Sequence, residues 1–238
     1  MTDWKEALWL AKFELKHSIK HLLSFFLLFI ISFLLVRSMI PSYLEEPSMG
    51  LDFFFIFIIF SGLLSQMARP KDYQVQKFRS IRYAAPFLTV LNQMPIKRKV
   101  IVKYRFLTYL FLLCLFNGLM LIALYPSFQQ VMTFTTYIAF AFIWFCFGIY
   151  FGCITPAFEV GTNMGWVIFY SLILGCISFF LYLYIFFKWY NGGFVTWTID
   201  IASNYPVISI IVSLILSIIG WNFWMKVMLK KMDRTDYL

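Results

Sequence analysis

The chain has 238 residues, of which 62% are hydrophobic, 22% aromatic and only 13% charged, and its mean hydropathy is +0.80. A water-soluble surface needs about 25–35% charged residues, so this composition excludes a soluble globular protein and requires a bilayer around most of the exterior. Six spans of about 20 residues each would use roughly half the chain, which excludes a large extramembrane domain as well. The formal charge of +9 therefore reads first as a topology signal.

Residues 1–20 read as an amphipathic interfacial helix. Trp4, Leu8, Ala11, Leu15 and Ile19 recur at helical spacing beside a stripe of Lys5, Lys12, Lys16 and Lys20, which suits a helix lying among anionic headgroups of the membrane lipids. A plain extension of the first span is the other reading. Charges run through all twenty residues and no small-residue cleavage site follows, so the segment does not read as a cleavable signal peptide. Six apolar segments come next, at 21–40, 51–67, 106–125, 133–158, 164–187 and 206–228, each long enough to cross a bilayer. Thr155-Pro156 interrupts the fourth near its end. The predicted fold is thus an all-α integral membrane protein, with residues 1–238 forming a single transmembrane domain.

Loop charges set the orientation. The N-terminal helix, the long loop 68–105 and the C-terminal tail hold 18 of the 20 Lys and Arg residues against six acidic ones, and Glu159 after the fourth span is a seventh acid on that side; Arg37 and Lys188 stand on the other side with four acids. The positive-inside rule places both termini in the cytoplasm, and six spans satisfy that result. The outer stretch 188–205, KWYNGGFVTWTIDIASNY, is too apolar for a solvated loop and is a candidate for dipping into the outer leaflet, where non-helical backbone needs protein or water around it.

Chemistry is sparse. No Asp, Glu, His or Lys sits near the middle of a span, where an ionisable group is costly enough to imply a role. The deepest polar residues, Asn117 and Asn222, are neutral and suited to bonding across helices. His17 and His21 stand four apart without a third ligand and without the HExxH pattern of metalloproteases. Glu45-Glu46 resembles the glutamate pair of intramembrane prenyl-processing proteases, whose accompanying arginine and histidines are missing. Cys114, Cys146, Cys153 and Cys176 all lie in apolar segments with no CxxC spacing, so neither a disulfide framework nor a zinc site is indicated. Gly148 and Gly152, then Gly161 and Gly165, give GxxxG spacings that allow helices to approach closely. No phosphate-binding GxxxxGK[ST] loop occurs, so this chain carries no cofactor site and no ATPase chemistry of its own.

The informative segment is the loop 68–105. Pro86 to Met94 reads as a two-turn helix started by proline and stopped by Pro95. Phe87, Leu88, Val90, Leu91 and Met94 offer an apolar surface, too short to span and flanked by basic residues, for a cytoplasmic protein to dock on. From Phe87 to Lys103 the chain reads FLTVLNQMPIKRKVIVK, which resembles the permease subunits of type-2 ABC exporters: a short apolar helix, Leu-Pro-Ile/Val or its like, a basic pair, then an apolar run into the third span. The amphipathic N-terminal helix, six spans, cytoplasmic termini and length resemble that family too. One departure is that the acidic Glu-x-x-x-Gly-Thr start common in the family is replaced by Arg82-Tyr83-Ala84-Ala85-Pro86-Phe87.

The resemblance implies a non-enzymatic transport subunit of a bacterial cell membrane, working with a second permease, either identical or a sister chain. It implies a separate cytoplasmic ATPase that binds ATP and magnesium, and coupling contacts to it at Tyr83, Pro86, Phe87, Val90, Leu91, Met94 and Pro95. The implied cargo is an amphipathic peptide or another hydrophobic substrate. Two rival readings are a non-transporting immunity or sensor scaffold and the transmembrane component of an energy-coupling-factor importer. The latter normally carries two Ala-Arg-Ser/Gly motifs, where this chain has only Ala68-Arg69-Pro70. A nucleic-acid partner is not expected, because the basic residues sit where topology places them.

Overall fold

The computed structural model describes residues 2–59, 67–77, 82–163, 173, 177–190 and 192–234. Helix α1 (Asp3–Glu45) runs unbroken for 43 residues, about 65 Å at 1.5 Å per residue against about 30 Å of bilayer hydrocarbon. The segment 1–20 and the first expected span are thus one element. The helix stops at Glu46, whose N–H donates to the Ser42 carbonyl at 2.9 Å, one residue before Pro47. Short α2 (Met49–Phe53) continues as a π-helical stretch, Phe54–Ile59.

The remaining helices are α3 (Pro86–Gln93), α4 (Arg98–Phe128), α5 (Phe134–Gly152), α6 (Ile154–Phe158), α7 (Ile177–Phe186), α8 (Phe194–Asn204) and α9 (Pro206–Arg234). Among the described residues four helical stretches are long and apolar enough to cross a membrane: Phe25–Glu45, Arg98–Phe128, Phe134–Phe158 and Pro206–Arg234. They correspond to the first, third, fourth and sixth expected spans. Much of the second and fifth, with Cys176 and Gly165, lies outside the described residues.

The fold is predominantly helical, but the all-α expectation omits a small sheet. Strands β1 (Gln76–Lys77), β2 (Arg82–Ala84) and β3 (Val160–Asn163) pair antiparallel in that order, with Tyr83 opposite Thr162 and Ala84 opposite Val160. These strands are too short to show alternation in sequence. They tie the loop after the second expected span to the chain leaving α6.

Packing places α1 along α4, and α9 along α5. One apolar core gathers Tyr43, Leu51, Phe55, Phe128, Trp144 and Val195 at one end of the bundle. The other gathers Ala7, Leu10, Leu88, Leu91, Val100 and Met232. The first turns of α1, one face of α3, the start of α4 and the last turns of α9 share this second core, so the start of α1 and the end of α9 lie at the same end, which also carries most of the basic residues. Gly220 lets α9 pack closely on α5: a Cβ there would stand 2.4 Å from the Tyr150 ring and 3.2 Å from its Cα. Tyr109 donates to the Gly148 carbonyl at 2.7 Å, so the first GxxxG lies on a packed face.

The N-terminal half of α1 corrects the sequence reading of its faces. Trp4, Leu8 and Ile19, from the expected apolar stripe, are about half exposed, whereas Ala7, Leu10, Ala11, Glu14 and Ser18 are buried. In a bilayer the outward surface is as apolar as any core, and helix–helix contacts favour small and polar residues. The bulky Trp4, Leu8 and Ile19 of the expected stripe therefore point away from the protein, while Ala11 and Leu15 of the same stripe turn toward it.

The outer stretch 188–205 also differs from a loop. Eleven of its residues form α8, about 16 Å long and too short to cross, with Val195, Ile199 and Ala202 buried against α5. Asp52, fully buried, fixes its start. It accepts the backbone N–H of Phe194 at 2.7 Å and of Val195 at 3.0 Å, the Tyr43 hydroxyl at 2.6 Å and the Tyr182 hydroxyl. A carboxylate accepting N–H groups at a helix N-terminus also meets the positive end of the helix dipole. Beside it Gly193 leaves no room for a side chain, since a Cβ would fall 1.9 Å from the Tyr43 Oη. Nearby, burial first and then the Asp200 carboxylate push the Tyr190 hydroxyl up to about 12.

Candidate functional site

The basic end of the bundle carries α3, whose limits follow from its sequence. Pro86 starts it, needing no N–H partner at the first helical position, and the chain turns out at Met94 before Pro95. At 100° per residue, Leu88 and Leu91 share one face and Val90 and Met94 another. Leu88 and Leu91 are 1% and 2% exposed, whereas Val90 and Met94 are 45% and 48% exposed. Leu91, expected at the docking surface, instead belongs to the core shared with α1, α4 and α9. The apolar pattern has two stripes, and the fold uses one of them.

The other expected coupling residues divide in the same way. Phe87 is half-buried among rings, with centroids 4.7 Å from Tyr73 and 6.4 Å from both Phe13 and Tyr104, all within the range of aromatic pairing. Pro95 is exposed, and Pro86 is half-buried. Pro86, Phe87 and Val90 face His17 and His21 across a cleft of about 420 Å³ that also includes Asp72. Tyr83 lies in β2; its side chain is outside the described residues. Among the described residues no three His, Cys, Asp or Glu side chains are placed to hold a metal. The surface that α3 leaves open therefore consists of Val90, Gln93, Met94 and Pro95.

Behind α3 lies an ion cluster that loop-charge counting did not reveal. Glu14 of α1 accepts from Arg69 Nε at 2.7 Å and from Arg105 Nη1 at 2.9 Å, and Glu159 accepts from Arg69 Nη1 at 2.8 Å and from Arg105 Nη2. The four side chains are no more than 5% exposed. Arg69 also donates to the Tyr73 carbonyl at 2.7 Å, and the Tyr104 hydroxyl donates to Glu14. The formal charges cancel, which makes burial tolerable: isolated, each would incur a desolvation cost of several kcal/mol. Burial alone would lower the Arg69 pKa, but the Glu159 and Glu14 carboxylates outweigh it and hold the guanidinium above its ordinary value.

The cluster joins four parts of the chain: α1, the loop after the second expected span, the start of α4 and the end of α6. The α3 helix is fastened to the same frame. Ala85 N–H donates to the Glu159 carbonyl at 3.1 Å, and Ala84 pairs with Val160. At the rim, Asp3 stands 3.6 Å from both Lys97 and Lys103, and Arg98 meets Asp233 at 2.7 Å. The α3 helix is thus joined to α1, α4 and α6 through buried contacts. Asn222 Nδ2 donates to Ile218 of its own helix at 2.8 Å, and buried Asn117 Nδ2 has no partner among the described residues.

Comparison with protein families, with characterised proteins and with solved structures found no match to this chain.

Proposed function

We propose that the chain is the permease subunit of an ATP-driven type-2 ABC exporter. In this reading it has six spans and cytoplasmic termini in a bacterial cell membrane, and it is energised by a separate ATPase that docks on α3. The observation that carries the reading is the two-faced character of α3. Val90 and Met94 are presented outward, while Leu88 and Leu91 are locked into the core beside the Glu14–Arg69–Arg105–Glu159 cluster. The exposed stripe lies beside basic residues, and an apolar surface rimmed by polar and charged groups suits a protein contact.

ATP-linked closure of the two ATPases moves α3 as a rigid body. Because the ion cluster and the β2–β3 pairing fix α3 to α1, α4 and α6, the spans move with it between inward-open and outward-open states. The substrate is an amphipathic or hydrophobic peptide. An apolar hollow of about 250 Å³ between α5, α8 and α9, walled by Phe147, Phe194 and Trp197, supports that class through its aromatic lining.

Two measurements test the assembly and the orientation. Native mass spectrometry of the transport-competent complex is expected to give two permease chains and two ATPase chains, because the pathway forms between two subunits; a stable one-to-one complex that still transports contradicts it. In a background without the four native cysteines, Gln129→Cys is expected to react with an impermeant thiol reagent on sealed cells and Gln93→Cys only after lysis. Both positions are exposed, at opposite ends of the bundle. Labelling of Gln93→Cys from outside would reverse the orientation.

A further inference from the structure

A groove of about 690 Å³ runs between the N-terminal half of α1 and the first half of α4. Its walls are apolar, with Leu15 and Leu22 on one side and Leu110 and Phe111 on the other, and Lys12 and Lys16 stand at its edge. From Lys16 to Leu22, the stretch that leads from the lysines into the span, the α1 wall measures about 9 Å, compared with about 15 Å for the hydrocarbon depth of one leaflet. Both lysines are exposed, and neither meets a carboxylate among the described residues. Glu14, the acid that lies between them in sequence, is turned away and occupied by Arg69 and Arg105. Two uncompensated cations midway along the edge of an apolar groove are complementary to an anion with a hydrocarbon tail.

We infer that this groove is a binding site for an anionic phospholipid of the inner leaflet, with its phosphate on Lys12 and Lys16 and an acyl chain lying between α1 and α4. The lysine spacing of one helical turn lets both ammonium groups reach one phosphate. The leaflet assignment rests on the orientation proposed above, whereas binding itself does not depend on the transport reading. Bound there, the lipid braces α1 against α4 on the side opposite the ion cluster.

The test is native mass spectrometry of the purified full chain titrated in detergent with phosphatidylglycerol and with phosphatidylcholine. Retained phosphatidylglycerol is expected, with phosphatidylcholine lost. Lys12→Gln/Lys16→Gln is expected to weaken retention about 30-fold, from about 1 kcal/mol per lysine. Lys5→Gln/Lys20→Gln removes the same charge from the same helix outside the groove and is expected to leave retention unchanged; an equal loss would show diffuse attraction and overturn the site. Cys114→Trp narrows the apolar wall without altering charge and is expected to lower retention at an unchanged thermal midpoint; undiminished retention at that midpoint overturns the groove. Glycerol phosphate alone is expected not to bind, and binding as tight as the lipid's would contradict a role for the acyl chain. A dimer that excludes lipid and dissociates in Lys12→Gln/Lys16→Gln would assign the groove to a second copy of the chain and overturn the proposal. Sealed-cell labelling reads the orientation separately, so failure of either idea is identified by its own result.

Discussion

Arg105→Met is expected to destabilise the folded chain by about 3–5 kcal/mol, because it leaves the Glu14 and Glu159 carboxylates buried with only one guanidinium between them. The contrasting substitution is Arg98→Met. It breaks the exposed Arg98–Asp233 pair, 49% and 58% exposed, and is expected to cost no more than about 1 kcal/mol. Pairing Arg105→Met with Glu159→Gln restores neutrality around the remaining Arg69–Glu14 pair, so the double variant is expected to be more stable than the sum of its singles by about 0.5–3 kcal/mol. Unfolding of the detergent-solubilised chain, followed by tryptophan fluorescence, reads all four. Equal effects of Arg105→Met and Arg98→Met would mean that the cluster is not the joint described.

Val90→Asp is expected to abolish ATP-coupled transport while leaving insertion and stability nearly unchanged. At 45% exposure the new carboxylate keeps its water in the free chain and, on the proposed reading, loses it only when the ATPase docks. Burying it unpaired in an apolar contact incurs several kcal/mol, enough to weaken ATPase binding about a hundred-fold or more. Leu91→Asp is expected to behave differently. Its side chain is 2% exposed in the core behind α3, so the charge would be buried in the permease itself and the fold would fail before docking is tested. Gln129→Asp, at the opposite end, is the silent control. Proteoliposome transport, ATPase stimulation and thermal midpoint together separate the three outcomes.

The contrast between Val90 and Leu91 shows what the sequence carries. The limits of α3 were legible because Pro86 and Pro95 each have a local steric reason to start or stop a helix. The face used was not, since Val90 and Met94 are as apolar as Leu88 and Leu91, and which pair is buried depends on the neighbours that the fold supplies. Four helices long enough to cross a membrane were legible from continuous apolar length, whereas α8 was hidden in a stretch whose apolar character signalled only burial. The ion cluster lies beyond local pattern, because its members at positions 14, 69, 105 and 159 meet only in the folded bundle. One signal was present: Glu14 falls three, four and seven residues after Ala11, Leu10 and Ala7, on a stripe of small and apolar residues where a charge needs a partner. The β2–β3 pairing carried no comparable signal.

The account rests on α3 as the docking point of an ABC ATPase, and co-purification tests it most directly. The full chain, extracted in mild detergent from the cells that make it, is expected to bring down a chain carrying a GxxxxGK[ST] phosphate loop in equal number. That chain is expected to be missing from the Val90→Asp preparation. A folded wild-type permease that recovers no such ATPase, or recovers it equally with Val90→Asp, would contradict the account.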